Sequence, residues 1–364
     1  MNIIYHIPWN VNRNCNSAGY VRYFNMLDAF KKLRCEVDLI MGESKDRYYQ
    51  IKTIKQKIKN GKKYSFLYSE SSTFPTVLTG TKIQTFQFPL LDFRFFAFCK
   101  KHKIPIGLFY RDVQWRFKDI LALNNWFKRF ILDYLHIFDL YEYQKHLDIL
   151  YLPSIKMAKY LTFSFPNIKS LPPGCKDFFL SGSEENNKLD IIYVGGIGKL
   201  YKMHILLKVV SQLRNTTLTI CCRKKDWDKN KKEYEPLFKS NIHVVHYSGD
   251  KLIGLYKKAD IASIFLEKNS YREFTMPIKL FEYLGFHKPI IATKDSAVGE
   301  FVDKNDVGWA ISYDEASLKQ ILYKILGNYD IIVQKQKNIK KILPKHTWVV
   351  RASRVCDDLT QKKH

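Results

Sequence analysis

This 364-residue sequence predicts an α/β protein of two doubly wound domains with a cleft between them. Three observations lead there. The length exceeds what one ordinary core accommodates. Short apolar strands alternate with amphipathic helices along the chain, the pattern of parallel sheets with crossover helices. The alternation breaks once, at Leu171-Pro172-Pro173-Gly174 and the polar run Ser181 to Lys188, and then starts again. The predicted domains are 1–175 and 176–345, followed by a C-terminal segment, 346–364.

In the first domain a strand at Asn2 to His6 leads through a polar loop to a helix at Ala18 to Leu33. Tyr20, Phe24, Leu27 and Phe30 are spaced there for one buried face. Strands follow at Val37 to Met41, Tyr64 to Tyr68, Ile104 to Tyr110 and Asp148 to Leu152, with a lysine-rich helix at Asp46 to Lys59. Trp126 to Tyr141 mixes aromatic, aliphatic and basic residues; it reads either as a buried helix with a basic entry or as a membrane-facing one. The second domain opens with Leu189 to Val194 and Gly195-Gly196. Strands at Thr216 to Cys222, Ile242 to Val245, Ile261 to Phe265, Pro289 to Thr293 and Trp309 to Ile311 follow. The helices between them include Tyr201 to Leu213, Lys251 to Lys258, Pro277 to Leu284 and Ser317 to Leu326. His346 to Leu359 is an amphipathic helix that either returns to the first domain or caps the second.

Sixty basic and 35 acidic residues give a formal charge of +25, a field that attracts polyanions such as phosphorylated ligands, anionic lipid or nucleic acid. Hydrophobic residues at 46% exclude a disordered chain. The seven cysteines form no C-x-x-C pair and the ten histidines no ligand grouping, so no metal site is expected and a reduced compartment is the simplest setting. The N-terminus has no signal-peptide layout, and no uncharged apolar window is long enough to span a bilayer. A cytoplasmic protein, free or lying on a membrane, is the expectation.

The stretch with the most chemistry is Tyr271 to Thr293, YREFTMPIKLFEYLGFHKPIIAT. A helix starting near Pro277 would present backbone N–H groups and Lys279 to a phosphate. Glu282, one turn deeper, can accept hydrogen bonds from vicinal hydroxyls such as those of a ribose. Together, Pro277-x-Lys279-x-x-Glu282-Tyr283-Leu284 and Lys288-Pro289-Ile290-Ile291-Ala292-Thr293 resemble the donor-site helix and strand of GT-B glycosyltransferases, bacterial enzymes of the family 4/group 1 type. The resemblance implies two Rossmann-like domains, a nucleotide-sugar donor in the second, a saccharide or lipid-linked acceptor at the first, and no metal cofactor. It implies a ribose contact for Glu282 and a diphosphate contact for Lys279. Bacterial members often build lipopolysaccharide, capsule or glycans, which places such a chain on the cytoplasmic face of the inner membrane, against an anionic surface.

The sequence departs from that pattern twice. The first carboxylate of the Glu-x7-Glu pair of many retaining members falls at Phe274, with Glu273 one place off. The arginine that those members carry after the first strand of the second domain is replaced in Val194-Gly-Gly-Ile-Gly-Lys199. Gly195 and Gly196 allow close backbone approach to a diphosphate, and Lys199 or Lys202 could supply the missing charge. Arg223, at a strand end, is a further donor candidate. Asp226-Trp227-Asp228 spells the D-x-D pattern of metal-dependent transferases, but its lysine neighbours would repel a cation, and a solvated loop is expected.

In the first domain Gly19 closes a small-residue loop, Asn14 to Gly19, that resembles the one facing the donor diphosphate. Glu70 and Arg111 are acceptor-side candidates at strand ends, where open sheets bind ligands. Asp112, in Tyr110-Arg-Asp-Val-Gln-Trp115, is the candidate catalytic base, with an Arg111–Asp112 structural pair as the alternative. Three other functions remain open: a sugar-nucleotide epimerase with the same donor site, a non-catalytic transferase-like subunit, and a nucleic-acid binder, although no nucleic-acid motif is present.

Overall fold

The apolar runs become parallel strands covered on both faces, as sheets joined by crossover helices require. The computed structural model describes residues 1–11, 18–79, 87–88, 90–117, 125–178 and 188–361. The predicted loop at 14–17 and the polar run 181–187 lie outside them. Among the described residues the chain forms two units, Met1–Pro173 with Trp348–His364, and Gly174–Thr347, each holding one six-stranded parallel sheet.

The first unit contains β1 (Asn2–Ile7), β2 (Glu36–Met41), β3 (Phe66–Glu70), β4 (Ile106–Phe109), β5 (Ile149–Leu152) and β6 (Ile168–Ser170), in the order β2-β1-β3-β4-β5-β6. Its helices are α1 (Ala18–Lys32), α2 (Ser44–Lys59), α3 (Leu91–Lys101) and α4 (Trp126–His146). The order reverses between β1 and β3. Tyr5, Phe30, Phe66 and Tyr68 pack edge-on or tilted over the central strands, their centroids 5.5–6.2 Å apart.

The second unit contains β7 (Leu189–Val194), β8 (Thr216–Cys221), β9 (Ile242–Val245), β10 (Ile261–Ile264), β11 (Ile290–Thr293) and β12 (Gly308–Ile311), in the order β12-β11-β10-β7-β8-β9. Between them lie α5 (His204–Val210), α6 (Lys224–Tyr234), α7 (Asp250–Lys258), α8 (Ile278–Gly285) and α9 (Ala297–Lys304), and α10 (Glu315–Gly327) and α11 (Asp330–Ile342) follow β12. Here the order reverses between β7 and β10, so the crevice for a ligand opens at their carboxyl ends. The last helix, α12 (Trp348–Thr360), belongs to the first unit: Trp348, Ala352, Val355, Cys356 and Leu359 join its core.

Three differences from the expected elements have local causes. β3 runs two residues later than predicted, because pairing starts at Ile3 with Phe66 while the Tyr64 hydroxyl turns away to Asp38. This places Glu70 inside the strand rather than in a ligand loop. Lys224–Tyr234 is a helix, not a solvated loop, since Trp227 and Tyr234, seven residues apart, anchor one face on the core. α3 is apolar on nearly every side (LDFRFFAFCKK), which hides its period from the sequence.

Candidate donor site

The β7 strand ends in a turn that only glycine enters without strain: Gly195 has φ +145° and Gly198 φ +110°. The Tyr193 hydroxyl donates to the Gly196 carbonyl at 2.6 Å, and the Tyr201 ring covers Gly196. A Cβ on Gly195 would stand 3.0 Å from Lys279 Nζ. Glycine and lysine, 84 positions apart, therefore share one spot at the β7–β10 switch point.

Lys279 enters from the first turn of α8. Pro277 is the residue before the helix rather than inside it, and no side chain caps the start, so the first N–H groups stay open to an anion. Lys279 Nζ donates to Tyr193 Oη at 2.9 Å and lies 4.1 Å and 5.0 Å from the Tyr193 and Tyr201 ring centres. Burial, reinforced by the charge of Arg272, drives its ammonium well below the usual lysine range, against the pull of Glu282. Glu282 is on the same face one turn on; burial raises its carboxyl, and Lys279 opposes the rise.

Arg272 is the residue that sequence reasoning missed. It lies on the turn Ser270–Glu273, donates from Nε to the Glu267 carbonyl at 2.8 Å and from Nη2 to the Leu200 carbonyl, and sits over the Tyr201 ring. Its role comes from the fold bringing the ends of β7 and β10 together, which no local pattern announces. Of the two lysines that could supply the missing charge, Lys199 is exposed and Lys202 pairs with Glu267 at 3.4 Å. Arg223 is also exposed and pairs with Asp226 at 2.8 Å. Asp226 and Asp228 lie two apart on α6 and so point in different directions; among the described residues no group of His, Cys, Asp and Glu could hold a metal. Phe274, at the place of the missing carboxylate, is buried with its ring 5.2 Å from Tyr271.

In the first unit Gly19 lies in the first turn of α1. Glu70 is fully buried: Arg22 Nε donates to it at 3.2 Å, Tyr68 Oη at 3.0 Å and Tyr5 Oη at 3.2 Å. That bonding makes it part of the sheet interior and corrects its assignment as an acceptor contact. Arg111 donates from Nη1 to Tyr23 Oη at 2.6 Å and from its backbone N–H to Ser71 Oγ at 2.9 Å. Asp112 follows, half-buried, just beyond the carboxyl end of β4.

Comparisons with known proteins bear on the family and the fold. The family described as "Glycosyl transferases group 1" matches residues 188–328. The second unit carries a glycosyltransferase domain. The whole chain has the GT-B fold, since it superposes on solved glycosyltransferases. The HepE protein of Anabaena, solved with UDP and glucose, gives a TM-score of 0.65 at 11% identity, covering 100% of both chains. A glycosyltransferase of Rickettsia africae gives 0.63 at 11%, covering 100% of this chain and 99% of that one. WaaG, a glycosyltransferase involved in lipopolysaccharide biosynthesis, gives 0.59 at 12%, covering 99% and 100%. No curated protein matches the sequence.

Proposed function

We propose that the chain transfers a sugar from a nucleotide-sugar donor, held by the glycosyltransferase domain, to a saccharide acceptor carried on lipid at the cytoplasmic face of the inner membrane. The observation that carries the donor half is the meeting of Gly195, Lys279 and Glu282 at the switch point of the domain that matches group 1 transferases. Open N–H groups, a lysine and an arginine supply positive charge for the diphosphate from the protein itself, and on this reading no metal is needed there. Solved relatives hold UDP, which makes a uridine nucleotide the first donor to try. Glu282→Ala is expected to weaken nucleotide-sugar binding by about 1.5–3 kcal/mol, roughly 10- to 150-fold in Kd. Calorimetry on a folded variant with unchanged affinity would sink the ribose assignment. Nucleotide release that rises on adding an acceptor separates transfer from epimerisation.

Support for the acceptor half comes from α4. Its second half buries His136, Asp139, Leu140 and Tyr143, while its first half turns Trp126, Phe127, Phe130, Ile131 and Tyr134 to solvent, at 78%, 54%, 64%, 41% and 60% exposure. The second half is the buried helix of one reading, and the exposed apolar side chains of the first half support the membrane-facing one. Lys128 is exposed beside the aromatics, and each basic residue near an anionic leaflet contributes about 1 kcal/mol. No helix among the described residues is long and apolar enough to cross a membrane. The protein is expected to sediment with anionic but not zwitterionic vesicles and to be released as the Debye length falls to about 3 Å near 1 M salt. Trp126→Ser with Phe130→Ser should weaken that binding. Protein left in the supernatant with anionic vesicles at low salt would point instead to a soluble acceptor.

A further inference from the structure

A second concentration of charge lies in the first unit, in a groove between α2 and α3. It encloses about 310 Å³, at the lower end of the range for small-ligand pockets. Lys52, Lys55 and Lys59 line it from α2, at i, i+3 and i+7, so one helix face carries all three. Tyr48, Ile51 and, from the start of α3, Leu91 form its apolar wall, with the Tyr48 ring 5.0 Å from that of Phe88. Lys55 is half-buried, its Nζ 5.0 Å from the Phe98 ring centre, and Lys59 and Arg94 both act on its charge. Like charges one turn apart repel, so the row is unfavourable on its own and is relieved by an anion. The protein supplies none. Lys57, on another face of α2, pairs with Asp38 at 2.6 Å, but among the described residues Lys52, Lys55, Lys59 and Arg94 form no ion pair. The acids of α2 and α3 are Asp46, which accepts from the Glu43 N–H, and Asp92, which is turned inward to Arg47. From Ser71 to Leu91, the segment leading into α3, the sequence contains no Asp or Glu.

We propose that this groove binds the phosphate of an anionic phospholipid, the lysine row taking the phosphate oxygens and the apolar wall the first carbons of the lipid body. Charge complementarity supplies the first half of the argument: ammonium groups converge with no counter-charge, and a phosphate offers several charge-assisted acceptors at once. The wall supplies the second. A free phosphate needs only cations, whereas Tyr48, Ile51 and Leu91 beside them suit an anion that carries an apolar body. The position in the fold favours a lipid as its source. α2 packs on α3 and α3 on α4, in the helix layer on one side of the sheet, while α1 and α12 join the core on the other side. The exposed aromatic half of α4 thus belongs to the same layer as the groove. This deepens the membrane half of the reading above by giving that surface a headgroup site in addition to general attraction. It is independent of the donor site, which lies in the other unit.

The test is titration calorimetry of the full chain with dihexanoyl phosphatidate below its micelle concentration, beside inorganic phosphate and dihexanoyl phosphatidylcholine. Phosphatidate is expected to saturate one site, about 10-fold or more tighter than inorganic phosphate, as burial of two methylenes gives. The zwitterionic lipid should not bind. Lys52→Gln with Lys55→Gln and Lys59→Gln should weaken phosphatidate binding by about 10- to 100-fold. Lys225→Gln with Lys229→Gln and Lys232→Gln on α6 removes the same charge from the other unit and should leave it unchanged. Melting temperatures check that both variants keep the fold, and UDP affinity of the α2 variant is expected to match the wild type. Because the lipid is monomeric, the result does not depend on whether α4 enters a bilayer, so failure here is distinct from failure of vesicle sedimentation. Equal weakening by the α6 variant would reduce the effect to net charge, and phosphate binding as tightly as phosphatidate would make the ligand a soluble anion. Either result overturns the proposal, as does equal binding of the zwitterionic lipid or the absence of saturable binding.

Discussion

Asp112→Asn is expected to lower turnover by about 10²- to 10⁴-fold while leaving nucleotide affinity unchanged. A displacement that inverts the anomeric centre needs a group to take the acceptor hydroxyl proton as the oxygen attacks, while the nucleotide diphosphate leaves on the opposite side. The case for Asp112 is its position just beyond β4, in the first unit and in the loop layer where open sheets bind ligands. The alternative role, as the structural partner of Arg111, predicts lost stability rather than lost turnover for the same change. Asparagine keeps the shape and removes the basicity, so a loss confined to kcat would identify the proton acceptor. A variant with normal turnover would remove Asp112 from the mechanism. Phe274 bears on the same question: the carboxylate of many retaining members is replaced there by a buried ring. The stereochemistry of the product should therefore be measured alongside turnover.

Most of the second unit could be read from its sequence because its signals are local. Pro277, Lys279 and Glu282 lie within six residues at the start of one helix, Pro277 just before it, and the strand Ile290–Thr293 follows closely, so a single stretch encodes the helix start, the cation and the carboxylate. Gly195 was recognisable as a turn glycine for the same reason. The partnership between Gly195 and Lys279 was not, since it depends on β7 and β10 becoming neighbours although their paired residues Ile191 and Ile261 are 70 positions apart. Arg272 escaped notice for that cause: its contacts, Leu200 and Glu267, come from the ends of two different strands. Glu70 shows the opposite error. A carboxylate near a strand end suggests a ligand contact, but β3 continues two residues further and includes Glu70, which pairs with Arg22 inside the unit, and where a strand ends is set by its long-range pairing. α6 was hidden by composition, because five lysines and two aspartates outweigh two aromatic anchors in any average over the segment.

The largest stability effect is expected at Asp92, which no functional reading touches. Asp92 is buried in the first turn of α3 and collects three hydrogen bonds: Arg47 Nε at 3.0 Å and His6 Nε2 at 2.9 Å on one oxygen, and Arg47 Nη2 at 2.9 Å on the other. Arg47 also donates to the Gly42 carbonyl at 2.8 Å, and His6 Nδ1 meets Ser69 Oγ at 2.8 Å. One carboxylate thus joins α2, α3, β1 and β3. Burial alone would raise its pKa, but the Arg47 charge and the His6 hydrogen bond outweigh burial and hold it well below the usual carboxylate range. Asp92→Asn leaves the Arg47 guanidinium buried without its counter-charge and should cost about 3–5 kcal/mol. The pH dependence has a definite sign. A carboxylate with a depressed folded pKa contributes its stability above the unfolded value of about 3.9, and that contribution is lost as pH falls further toward the folded pKa. Denaturant unfolding followed through the first unit's transition should therefore show a wide gap between wild type and variant near neutral pH, closing below about pH 4. Replacing both partners, Arg47→Met with Asp92→Leu, should recover much of the loss, because it removes the stranded charge along with the pair. A gap under about 1 kcal/mol at neutral pH, or one that stays constant into acid, would show that the network is dispensable and that packing of the aromatic core alone holds this face of the sheet.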